Sequence, residues 1–86
     1  MKKLTVNLGE LKPGQKAVVI AIRGGTRATG RLDDMGIRPG IVLEKISEQP
    51  FGGPVVVQVG NLCIALGFGM ARKVQVETAL GEEDAA

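Results

Sequence analysis

Short β-branched runs set between glycines constrain this chain more than any other feature. Residues 17–22 read Ala-Val-Val-Ile-Ala-Ile, residues 55–59 Val-Val-Val-Gln-Val and residues 62–66 Leu-Cys-Ile-Ala-Leu. Runs of that length, bounded by turn residues, are strands, and the thirteen glycines supply the positive φ that tight turns between strands require. A chain of 86 residues forms one domain and buries only about 60–65% of the surface its unfolded form exposes, so its core must be continuous. These features predict an all-β fold of about five strands arranged as a small barrel.

The turn Lys12-Pro13-Gly14 leads into the first predicted strand, residues 17–22; proline pre-sets φ and glycine accepts a positive one. That strand is almost wholly apolar, which predicts cover on both faces. The period then changes. Ala28, Leu32 and Met35 stand at i, i+4 and i+7, one stripe of a short helix with Thr26 as its expected N-cap and Gly36 as its left-handed stop. Gly30 within it costs about 1 kcal/mol against alanine and implies close packing there or a frayed helix. Arg38-Pro39-Gly40 repeats the first turn and opens a strand over residues 41–48, the loop of residues 50–54 joins it to residues 55–59, and Gly60-Asn61 turns into residues 62–66. Period-two alternation puts Leu62, Ile64 and Leu66 on one face and Cys63, read as a small buried hydrophobe, on the other. A helical turn near Met70 precedes a closing strand at residues 74–76. From about Thr78 the residues are small and acidic, so residues 1–77 are expected to form the domain and residues 78–86 a disordered acidic tail.

The absent residue types exclude much chemistry. With no histidine, no tyrosine and one cysteine, imidazole bases and Ser-His or Cys-His pairs cannot be built. Asp33 and Asp34 point about 100° apart on a helix and read as an exposed face. One thiol and scattered carboxylates cannot complete a zinc site, so no metal, cofactor or catalytic residue is expected. Residues 67–72 echo a dinucleotide fingerprint but lack its third glycine and the chain length of a βαβ unit. Phe51 and Phe68 are the only aromatic residues, too few for the stacking platforms of single-strand nucleic-acid binding. The net charge is +2; without Glu82, Glu83 and Asp84, eleven basic residues face six acidic ones, a net +5, and the basic residues are scattered along the chain. The first ten residues lack the apolar core of a signal peptide, no run is long enough to span a bilayer, and a lone cysteine suits a reducing compartment. A cytoplasmic protein that meets a membrane only through a partner is expected.

The segment Leu32-Asp33-Asp34-Met35-Gly36-Ile37-Arg38-Pro39-Gly40 resembles the signature of the FeoA family, with a leucine, a Met-Gly and a Pro-Gly turn into a strand. It is joined in order by Leu11-Lys12-Pro13-Gly14-Gln15, Gly53-Pro54-Val55-Val56-Val57, Ile64-Ala65-Leu66 and Val74-Gln75-Val76, so that the resemblance spans roughly residues 8–77. The resemblance implies an SH3-like barrel with one short helix between the first two barrel strands. It also implies a cytosolic accessory role beside FeoB, a ferrous iron transporter with a GTPase domain, carried out by protein–protein contact. Gly67-Phe68-Gly69-Met70 departs from the polar or basic residues that many relatives carry there. The same barrel occurs as the C-terminal domain of iron-dependent repressors, which makes a regulatory module the alternative; fold alone does not choose between them. The expected partner surface is the helix and its exit, Leu32, Met35, Ile37 and Arg38, together with Phe51 on the hairpin loop.

Overall fold

The computed structural model describes residues 3–79. Six strands and two helices follow in the order β1 (Lys3–Asn7), β2 (Lys16–Ile22), α1 (Gly25–Asp34), β3 (Val42–Glu48), β4 (Val55–Val59), β5 (Leu62–Leu66), α2 (Phe68–Ala71) and β6 (Val74–Ala79). All neighbouring pairs are antiparallel, in the sheet order β1-β6-β2-β3-β4-β5. The helix stands between β2 and β3, the first two of the five expected strands. The sixth is β1, which pairs with β6 from Lys3↔Ala79 to Asn7↔Gln75. That pairing also corrects the expected domain end, because Thr78 and Ala79 belong to β6; the rest of the expected tail lies outside the described residues.

The sheet wraps without closing. Val19 of β2, Leu43 of β3, Val57 of β4, Leu66 of β5 and Val76 of β6 fall in one apolar cluster, so both halves of the strand order enclose the same core. Two bulges supply the curvature. Between Val19 and Ala21 the β2–β6 register shifts by one, leaving Ile20 extra, and between Lys45 and Ser47 the β3–β4 register does the same at Ile46. A bulge bends its strand and increases the local twist. Both extra isoleucines stay exposed, as do Val18 and its cross-strand partner Val42. β2 is therefore covered on one face only, contrary to the expectation from its apolar run.

Turn chemistry behaves as the sequence implies. In both Pro-Gly turns the residue after glycine donates to the carbonyl three back, Gln15 to Lys12 at 3.0 Å and Ile41 to Arg38 at 3.3 Å, with φ of 92° at Gly14 and 99° at Gly40; these are type II turns. α1 ends in a Schellman motif, with Gly36 N–H donating to Asp33 O at 2.9 Å and Ile37 N–H to Leu32 O at 2.8 Å. Its start differs from expectation. Gly24, at φ 100°, is the N-cap, no side chain caps the helix and Thr26 lies inside it; Thr29 donates its hydroxyl to the Gly25 carbonyl at 2.9 Å, a bond within the helix rather than a cap. Gly30 is exposed with open space around it, so close packing does not explain it. Cys63 is exposed as well: with Ala65 it lies on the face of β5 that points away from the core, opposite the buried Leu66.

The largest fully buried side chain is not apolar but Lys45, at 0% exposure on the core side of β3. Its Nζ donates to Leu11 O at 2.5 Å, to Gly9 O at 3.1 Å and to the Glu48 carboxylate. Its backbone is also engaged with the β1–β2 connection, N–H to Gln15 O at 3.0 Å and C=O from Gly14 N–H at 2.7 Å. A buried ammonium is costly unless its protons find acceptors, and here three oxygens receive them. Lys45→Met retains an unbranched stem but leaves the Leu11 and Gly9 carbonyls without their donor. We expect a fall in the urea midpoint equivalent to about 2–4 kcal/mol. Glu48→Gln, at a half-exposed acceptor, should cost about 1 kcal/mol or less.

Candidate functional site

The α1 exit divides into core and surface. Leu32 and Ile37 are fully buried and belong to the central cluster. The hydrogen bond that closes the Schellman motif brings these two residues together, so both side chains are spent on the core and offer a partner nothing. This corrects their assignment to the contact surface. Met35 is partly buried and packs against the same cluster, with some surface left to solvent. Arg38 is exposed; its Nε lies 3.1 Å from Asp33 Oδ1, which ties the Pro-Gly corner to the last turn of the helix. Both partners face water, so the pair is weak and open to exchange.

Phe51 is fully exposed, at 103%. It sits in the β3–β4 loop at φ 61°, the one positive φ at a non-glycine among the described residues. Such a backbone is uncommon for a large side chain. The following glycine lies beside Phe68, whose ring would be 3.8 Å from a Cβ at position 52. Phe68 opens α2, and the Arg72 guanidinium stands 5.9 Å from its ring centroid, within cation–π range. Both aromatic residues and one arginine thus share an end of the molecule. Nothing local marks Phe68 as a surface residue, because what sets it beside the Phe51–Gly52 loop is the β4–β5 hairpin, which returns β5 to the point where β4 begins.

The expected surface residues therefore do not form one patch. Met35 and Arg38 precede β3, and Phe51 follows it; the strand's seven residues separate them by roughly 20 Å. Charge also collects where the sequence shows none. Arg23, Arg72 and Lys73 border one cleft, and Arg27 and Arg31 join Lys73 at its neighbour. Among the described residues no three His, Cys, Asp or Glu side chains form a group that could hold a metal ion, and no helix is long and apolar enough to cross a membrane.

Residues 6–78 match the family model described as FeoA domain. A protein of Methanocaldococcus jannaschii named Fe(2+) transport protein A is 40% identical over 68 residues, covering 79% of this chain and 80% of that one. The crystal structure of an iron uptake regulatory protein (FeoA) superposes with a TM-score of 0.78 at 36% identity, over 85% of this chain and 95% of the other. A manganese-dependent transcriptional repressor reaches a TM-score of 0.80 at 18% identity, over 92% of this chain but 44% of its own length; that likeness is one of fold.

Denaturation separates core from surface. Leu32→Ala should lower stability by about 2–5 kcal/mol, as expected for a buried leucine whose site cannot fully collapse. Phe51→Ser should shift the urea midpoint by no more than about 0.5 kcal/mol, since the ring touches little in the isolated protein.

Proposed function

Because the chain belongs to the FeoA family, we propose that it is a cytosolic accessory module for a FeoB-type ferrous iron transporter, supporting Fe(II) uptake by binding the transporter's GTPase region. The observation that carries this reading is the match over residues 6–78, supported by 40% identity to a relative whose name refers to Fe(2+) transport. The module acts by contact and without catalysis or a bound cofactor: the chain has no histidine and a single cysteine, which lies on an exposed edge strand. Ferrous iron is the cargo of the partner.

Phe51 and Phe68 are the proposed anchors of that contact. Large aromatic side chains dominate interface energetics when a partner desolvates them, and a fully exposed phenylalanine on a constrained turn does no work in the isolated fold. Met35 and Arg38, at the other end of β3, form a second and separate candidate. Methionine adapts to varied partner shapes, and Arg38 can exchange Asp33 for an acidic group on the partner.

A regulatory module akin to part of a metal-dependent repressor is the alternative, favoured by the fold likeness. It is the weaker reading because the match there is 18% identical and leaves more than half of the repressor unmatched, whereas the transport-named relative is matched over most of its length.

Co-purification with the cognate FeoB-type transporter in detergent, with and without GTP, tests the proposal. We expect association, weakened at least tenfold by Phe51→Ser, since a buried aromatic anchor contributes about 2 kcal/mol or more. Arg38→Glu should slow association only if the second corner takes part. No association with the transporter, together with sequence-specific DNA binding, would reverse the order of the two readings. Elemental analysis after chelation and desalting should find no stoichiometric iron or zinc.

A further inference from the structure

We propose that the cleft between α2 and the β1–β6–β2 part of the sheet binds a phosphate-bearing anion, whose phosphoryl groups are held by Arg23, Arg72 and Lys73. This inference is independent of the transporter reading. The cleft measures about 500 Å³ and is floored by β1, Gln75 of β6 and the end of β2, with Arg72 and Lys73 on the side of α2. A second cleft of about 180 Å³ along one side of α1 carries Arg27 and Arg31 and shares Lys73. Five cationic side chains thus surround two adjoining concavities, and among the described residues none of the five is in an ion pair.

Three features show a preorganised arrangement. With its amide oxygen turned toward Arg23, Gln75 accepts from both Nε and Nη2 at 3.1 Å, which fixes the plane of the guanidinium. Arg72 is held over the Phe68 ring. The stem of Lys73 lies across Gly24, so close that a Cβ there would meet it at 2.9 Å, which places the ammonium stem between the two clefts. The one carboxylate in the lining, Glu10, already accepts the Asn7 N–H at 3.0 Å, leaving the cationic side chains in excess.

The guanidinium fork suits the paired oxygens of a phosphoryl group, and unpaired cations left beside one another repel until an anion joins them. The volume fits a ligand larger than a lone oxyanion, since clefts of about 300–1,000 Å³ hold small organic molecules. A cation shared by two clefts suits an anion with two phosphoryl groups or a phosphate joined to a second polar group. Soluble phosphate compounds and lipid headgroups both present this chemistry.

Amide chemical-shift titration of the full chain with diphosphate, with sulfate as the comparison, tests the proposal, and flotation with phosphatidylcholine vesicles containing or lacking phosphatidylglycerol distinguishes the sources. We expect saturable shifts centred on Arg23, Arg72 and Lys73, stronger with diphosphate than with sulfate. The double variant Arg23→Gln/Lys73→Gln should weaken binding about tenfold or more, while Lys12→Gln, the same kind of charge loss on the Pro13 turn, should leave it unchanged. Flotation only with phosphatidylglycerol, lost in the double variant, would assign the site to a lipid phosphate. Absence of saturable binding to either probe, equal weakening by Lys12→Gln, or indifference to the double variant in a folded protein would overturn the proposal.

Discussion

The ammonium of Lys45 is the interaction on which the rest of the architecture depends. Small sheets rarely bury a lysine completely, because removing a charge from water costs several kcal/mol unless every proton finds an acceptor. Here the acceptors are two main-chain carbonyls of the β1–β2 connection and the carboxylate of Glu48 at the end of the same strand. Without the ammonium the buried Leu11 carbonyl of this connection would lose its donor, which is costly for a main-chain group shielded from water. Once pinned, it delivers Leu8 and Leu11 to the core, and Leu8 N–H reaches Val74 O at 2.8 Å, which carries the ladder on from the β1–β6 pairing. The bulge at Ile46 follows directly after Lys45 in β3, and its bend accompanies the lysine's inward direction.

Local chemistry was the legible part of the fold. Pro-Gly turns, the Gly36 stop, the β4–β5 hairpin and the Ala28–Leu32 stripe all involve residues close in sequence whose backbone needs are visible in their types. Long-range consequences were not. Lys3–Asn7 reads Lys-Leu-Thr-Val-Asn, too short and polar to announce a strand, and becomes one only because β6 offers its free edge. A lysine in a strand reads as solvated, so Lys45 gave no warning of burial. Cys63 alternates like a core residue, yet it falls on the face of β5 that points away from the core. Apolar content alone likewise could not reveal that a bulge would expel Ile20.

The candidate surfaces teach the same lesson. Leu32, Met35, Ile37 and Arg38 are contiguous enough to suggest one patch, but the Schellman turn sends Leu32 and Ile37 into the core and leaves only Met35 and Arg38 outside. Phe51 belongs with Phe68, seventeen positions on, through the hairpin between them. Arg23 and Lys73 are fifty positions apart and meet because β2 pairs with β6, the Arg23 N–H donating to Lys73 O at 2.8 Å. The basic residues that look scattered along the chain are therefore gathered by one strand pairing. A member of the FeoA family built this way holds its interior at the lysine clamp and presents its aromatic and basic side chains around it.

Nitrogen-15 NMR of the side-chain ammonium groups tests the clamp most directly. The protein should show one lysine ammonium resonance, assigned to Lys45, whose protons exchange with water far more slowly than those of the exposed lysines and show contacts to Gly9 and Leu11. A Lys45 ammonium that exchanges as fast as the exposed ones, with no contact to that connection, would contradict a fold organised around it.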